Sequence, residues 1–213
     1  MEHEPWIGAE YENGGGLGGQ KIAVVGHSHY SDNLDFPSFT KDLIESCISG
    51  PSEDFDGDMA SFNVVPNYFG FQDRRLFWSK VIFFNFLPTI VGRASQKFEA
   101  GTPGQIQAGT ARLLRILNQE RPSKVFVFSK EAWDYCPKIL EAEEQDLSRR
   151  LGSDFEGYTM GHYGSIEHPI ATFGLRHPLG AKKERMQRVV KTLMDLPVET
   201  WCDDPVFQRD REP

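Results

Sequence analysis

The stretch Lys21-Ile22-Ala23-Val24-Val25-Gly26 (KIAVVG) decides how this chain folds. It is apolar at every position after the lysine and ends at glycine, the pattern of a short central strand buried on both faces. At its end the sequence switches to His27-Ser28-His29-Tyr30. Polar side chains therefore collect at the strand's carboxyl end, where open parallel sheets bind their ligands.

Three further stretches repeat this design. Val81 to Phe86 (VIFFNF) reads as a second buried strand, with Asn85 where an apolar residue is expected. Lys124 to Ser129 (KVFVFS) reads as a third, and Ile170 to Gly174 (IATFG) as a fourth, followed by Arg176-His177-Pro178. Helices are expected between them: Phe39 to Cys47 behind Ser38, a helix opened by Thr102-Pro103, Glu131 to Leu151 with an interruption near Pro137, and Ala181 to Met194. In the second of these, Ile106, Leu113, Leu114 and Leu117 recur at helical spacing. The loop carrying Pro51, Gly57 and Pro66 is expected to form a cleft wall. The alternation predicts an α/β fold, a three-layer α/β/α sandwich around a central, mainly parallel four-stranded sheet. Residues 1–20, with their Gly14 to Gly19 run, are expected to be a flexible arm, 21–200 the domain and 201–213 a tail.

The bulk composition is that of one ordinary domain: 213 residues, 39% hydrophobic. No apolar run approaches the ~18 residues of a membrane span. The longest candidate, Val81 to Val91, contains Asn85 and Pro88. No basic segment followed by an apolar core stands at the N-terminus, and Cys47, Cys136 and Cys202 lack metal spacing. A reduced, cytoplasmic chain without cofactor or membrane partner is expected. The net charge of −8 argues against indiscriminate nucleic-acid binding. Charge is segregated, however: Arg176, Lys182, Lys183, Arg185, Arg188 and Lys191 cluster late, while acids concentrate at 54–58 and 141–144. The basic cluster reads equally as a phosphate-facing patch or a solvated helix face.

Gly26-His27-Ser28-His29-Tyr30, Phe83-Phe84-Asn85-Phe86, Val125 to Ser129 and Arg176-His177-Pro178-Leu179 follow in an order that resembles the uracil-DNA glycosylase superfamily, in a divergent G-x-S-H-Y branch. In that family a first strand ends in a glycine motif often written G-Q-D-P-Y, a second carries a base-reading asparagine, and a late strand ends in His-Pro before a basic helix. The likeness covers roughly Lys21 to Met194. It implies a DNA glycosylase that flips out uracil or a modified pyrimidine and hydrolyses its glycosidic bond, in repair or in defence against modified foreign DNA. DNA is the implied partner, and protein partners are left open.

The resemblance also assigns roles. Asn85 would read the pyrimidine edge with its amide, with Gly26 and His27 beside it; the competing reading is an asparagine that caps a turn. Phe36 or Phe39 would stack on the base, although either can be core. Tyr30 would crowd the pyrimidine 5-position. His177 would donate to the base oxygen as charge grows, unless it is simply exposed before a proline turn. Leu179 would fill the gap left by the base, and Arg176, Lys182, Lys183 and Arg185 would meet phosphates. Ser28 stands where the family's acidic residue positions water and cannot balance an oxocarbenium as a carboxylate does. His29, His27, Asp32 or Asp35 would then help to orient water. Two rival readings remain: a non-catalytic binding member of the same fold, and a metal-dependent hydrolase built on the alternate pair His27 and His29 with His162, His168 or His177.

Overall fold

A computed structural model describes residues 1–13, 15–32, 34–50, 60–93, 100–136, 145–165 and 168–197. Four parallel strands form its centre: β2 (Ile22–Gly26), β3 (Val81–Asn85), β4 (Lys124–Val127) and β7 (His168–Gly174). Their spatial order is β3-β2-β4-β7, so the chain steps to one side of β2 and then to the other. In open α/β sheets ligands bind at such a switch, here the carboxyl ends of β2 and β4.

The sheet has seven strands and is mixed, which corrects the expectation of four. β1 (Trp6–Ile7) runs antiparallel along β3. On the other side, β6 (Thr159–Ser165) pairs antiparallel with β7, and β5 (Gln145–Asp146) with β6. These edge strands escape sequence reading because two residues are too few to show a period, and TMGHYGS has no apolar alternation.

The first twenty residues also differ from a loose arm. Besides β1 they contain α1 (Ala9–Asn13), whose Tyr11 is fully buried, and the buried His3. The His3 N–H bonds the Pro88 carbonyl, so the N-terminus is strapped along the β3 edge. The tail 201–213 lies outside the described residues, as do Pro51, Gly57 and the acidic clusters.

Alternation along the strands sorts the core into two clusters on opposite faces. Ile22, Val24, Val81, Phe83 and Phe126 face α2 (Phe39–Ser49), α3 (Ala60–Tyr68), α4 (Arg74–Trp78) and α8 (Lys183–Asp195). Ala23, Val25, Ile82, Phe84, Val125 and Val127 face α1, α5 (Pro103–Glu120) and α6 (Lys130–Tyr135). Helix α8 buries Met186, Val189, Val190 and Leu193, one stripe at helical spacing. Each such side chain contributes about 1.5–3 kcal/mol. Helix α5 starts with a Thr102–Gln105 capping box and Pro103, and stops at Arg121, whose φ of 47° is left-handed. Helix α3 lies where a loop is expected and contains Pro66. Proline removes the bond to the carbonyl four residues back, that of Phe62, and the Trp78 indole N–H takes it at 3.1 Å. The helix expected over Glu131 to Leu151 is only α6 at its start and α7 (Ser148–Leu151) at its end, with 137–144 outside the described residues. Among the described residues no helix is long and apolar enough to cross a membrane.

Candidate functional site

Parallel register lines up the strand ends. Asn85 pairs with Gly26, and the next row across the sheet is completed by Phe128 and Leu175, whose N–H groups bond the Val25 and Val127 carbonyls at 2.8 Å. Beyond β2 and β3 the two chains stay zipped. Phe86, Leu87 and Val91 donate to the carbonyls of Gly26, His27 and His29 at 2.9–3.1 Å, and Ser31 donates to Gly92 at 3.0 Å. The G-H-S-H-Y segment is therefore a rigid extension of the sheet.

Asn85 follows Val81 and Phe83 on one face and is only 5% exposed. Its side chain lies flat over Gly26: a Cβ built there would sit 2.2 Å from Asn85 Oδ1. Only glycine allows this seat. The Asn85 carbonyl accepts from the buried Arg112 guanidinium, which also holds the His3 carbonyl and the Glu2 carboxylate. Burial lowers the Arg112 pKa to about 10, so it stays cationic at neutral pH. The Asn85 amide itself has no protein hydrogen bond among the described residues. Its polar atoms are not among the fully enclosed unpaired ones, so the 5% of the residue that stays exposed includes the amide, which is open to a ligand at the strand ends.

His27 lies on the opposite face of the same strand end. Its Nδ1 is 3.1 Å from Ser28 Oγ, and its Nε2 is 3.7 Å from Glu131 Oε2 in the first turn of α6. Burial lowers its pKa; Glu131 pulls it up, and His177 pushes it down, which puts His177 within electrostatic range. His177 opens the short 3-10 turn Pro178–Gly180, and its Nδ1 accepts weakly from the Leu179 N–H at 3.4 Å. That tautomer leaves Nε2–H as the donor available to a ligand. Partial burial lowers the His177 pKa as well, so the ring is neutral at pH 7. The turn is anchored by Tyr68, whose hydroxyl donates to the Pro178 carbonyl at 2.8 Å and whose ring stacks on Phe128. Leu179, 54% exposed, projects from this fixed point.

Other expected site residues are placed differently. His29 is buried away from solvent, with Nε2 2.9 Å from Thr40 Oγ1 and its ring against Phe39 and His3. Burial drops its pKa to about 3, so it is a neutral packing group below the N-terminal strap. Its partner Thr40 differs from those of His27, and among the described residues no group of three or more His, Cys, Asp or Glu could hold a metal ion; the side chains of His162 and His168 lie outside the described residues. Tyr30 is half-buried within the zipped segment. Phe36 is exposed at the rim with its ring 5.2 Å from Phe39, while neighbouring Asp35 is held by His3 and by the Ile90 N–H.

In the basic cluster, Arg176, Lys182 and Lys183 are exposed. Arg185 is committed elsewhere: it donates to the Asp154 and Glu156 carbonyls at 2.9 Å and lies over the Tyr158 ring. Arg188 pairs with Asp154. These two arginines tie α8 to the 153–157 turn, which leaves Arg176, Lys182, Lys183 and Lys191 exposed and without an ion pair among the described residues.

Three residues of the site were not singled out from sequence: Glu131, Tyr68 and Arg112. Arg112 carried a signal, a lone cation on the apolar stripe of α5 beside Leu113 and Ile116. Glu131 follows a strand-end Ser129 that caps α6 by accepting from Ala132. The chain matches no protein-family model and no curated protein.

Proposed function

We propose that the chain is a DNA glycosylase of the uracil-DNA glycosylase kind, a three-layer α/β/α domain that excises uracil or a modified pyrimidine in repair or defence. The observation that carries this reading is the Asn85 amide, seated on Gly26 at the strand ends, without a protein hydrogen bond among the described residues and still reached by solvent. An amide offers a donor and an acceptor together, which suits the edge of an everted pyrimidine. The bond to be broken leaves an oxocarbenium-like sugar and an anionic base. The neutral His177, with Nε2–H free, would donate to the base oxygen as that charge grows. Leu179 on its anchored turn would occupy the vacated stack, and Lys182 and Lys183 would meet flanking phosphates.

The test is a base-release screen on oligonucleotides carrying uracil, 5-hydroxymethyluracil or other 5-substituted pyrimidines, read by mass. Release of one of these bases is the expected result. DNA bound with no base released would instead favour the non-catalytic binding reading.

Two substitutions probe the supports of the site. Gly26→Ala forces a Cβ into the Asn85 oxygen and displaces the amide. Because misplacement by about 1 Å costs on the order of 100-fold, base release should fall by at least that much, with oligonucleotide affinity within about threefold. Activity equal to wild type would separate Asn85 from the chemistry. Replacing Lys182 and Lys183 together with alanine should weaken binding to all sequences alike. Loss of two phosphate contacts flattens the log-affinity against log-salt slope by about 1.8. A changed base preference would place the lysines wrongly.

A further inference from the structure

We propose that Ser28, His27 and Glu131 form a proton relay that orients and activates the hydrolytic water, with Glu131 as its positioning residue; this rests on the glycosylase reading above. The relay spans the switch point, from the end of β2 to the first turn of α6. Ser28 Oγ is 3.1 Å from His27 Nδ1, and His27 Nε2 faces Glu131 Oε2 at 3.7 Å. The imidazole is nearly enclosed, 10% exposed, and its Nε2 has no hydrogen bond. The half-exposed Glu131 needs only a small side-chain movement to supply one.

The polarity of the relay follows from the chemistry of a neutral imidazole, which has one donor and one acceptor. A carboxylate facing Nε2 selects the Nε2–H tautomer and makes Nδ1 the acceptor. Nδ1 then draws the Ser28 hydroxyl proton, and the Oγ lone pairs are left to accept from a water. In the reaction the water oxygen bonds to the sugar C1′ as the C1′–N bond breaks and its electron pair leaves on the base. The water proton passes to Ser28 Oγ while the Ser28 proton moves to Nδ1, and Glu131 offsets the imidazolium. His27 then releases the proton to solvent and the base nitrogen takes one up from it, so hydroxide is added to the sugar, a proton to the base, and the relay returns to its starting state. The relay thus does the work of the carboxylate that Ser28 replaces.

The charged and titratable groups facing His27 are Glu131, which stabilises its protonated form, and His177, which opposes it. Loss of the Glu131 charge should therefore move the acid limb of the rate profile to lower pH. The experiment is single-turnover base release against pH, with the same oligonucleotide panel, for wild type, Ser28→Ala and Glu131→Gln, alongside 15N NMR of the His27 ring. Expected are losses of about 100-fold for Ser28→Ala and about 10-fold for Glu131→Gln, with DNA affinity unchanged and the limb displaced in Glu131→Gln. An active wild type with both variants within twofold and an unmoved limb overturns the relay but leaves the glycosylase reading intact. A wild type silent on every probe overturns the glycosylase reading. NMR judges the relay independently of release: Nε2–H with a His27 pKa that falls in Glu131→Gln supports it, and protonation on Nδ1 overturns it.

Discussion

Asn85→Ala should abolish base release, by at least about 100-fold in kcat/KM, while stability changes by no more than about 1 kcal/mol. Both halves of this expectation come from the same geometry. The amide lies over Gly26 with no protein hydrogen bond among the described residues, so no hydrogen bond of the fold is lost with it. Truncating an amide that makes no protein hydrogen bond and keeps some contact with solvent changes stability by only about 1 kcal/mol. Catalysis is different. A site built to hydrogen-bond one edge of a ligand loses both recognition and orientation when that group goes. A residue that is useless to folding and essential to turnover marks a functional position. Thermal unfolding with single-turnover kinetics on the same preparations checks both halves. Unchanged turnover would take Asn85 out of the site, and a large loss of stability would make it a structural residue.

His177→Ala should slow the chemical step by about 100-fold, the size of effect expected when one preorganised donor to a developing oxyanion is removed. The ring is only partly covered, and among the described residues its one hydrogen bond is the weak one from the Leu179 N–H, so folding should hardly change. DNA affinity should stay within about threefold, because the donor matters most after negative charge has formed on the base. Its lowered pKa keeps the ring neutral at pH 7, which suits a hydrogen-bond donor that must not repel the His27 imidazole when that ring becomes charged. Rapid-quench kinetics with a separate binding titration distinguishes the roles. A loss confined to affinity would make His177 a DNA contact and leave the leaving base without its donor.

The parallel centre of this fold was legible because each strand is apolar on both faces, and only buried central strands read that way. Asn85 stood out for the same reason, as a polar residue within VIFFNF. The edges were opaque: Trp6–Ile7 becomes a strand only because the β3 edge is there to pair with it. Helix α3 was hidden by Pro66, since sequence cannot announce that the Trp78 indole will satisfy the carbonyl that proline leaves free. In the site, the residues at strand ends were legible, whereas their partners were not. His27 and His29 look equivalent at alternate positions, yet one meets Glu131 and the other Thr40. That divergence depends on how the chain leaves β2 and zips to residues 86–92, which is a tertiary fact. The basic residues stand together in the sequence, but the carbonyls of Asp154 and Glu156 that occupy Arg185 come from a turn about thirty residues earlier.

The account depends on the Asn85 amide and the His177 imidazole gripping one everted base. The most direct measurement is a crystal structure with an oligonucleotide whose target uracil is joined to the sugar through carbon, so that it cannot be hydrolysed. The account predicts the base out of the stack, with the Asn85 amide and His177 Nε2 each within about 3.2 Å of its polar edge. A base left stacked in the duplex, or seated where neither side chain reaches it, would contradict it.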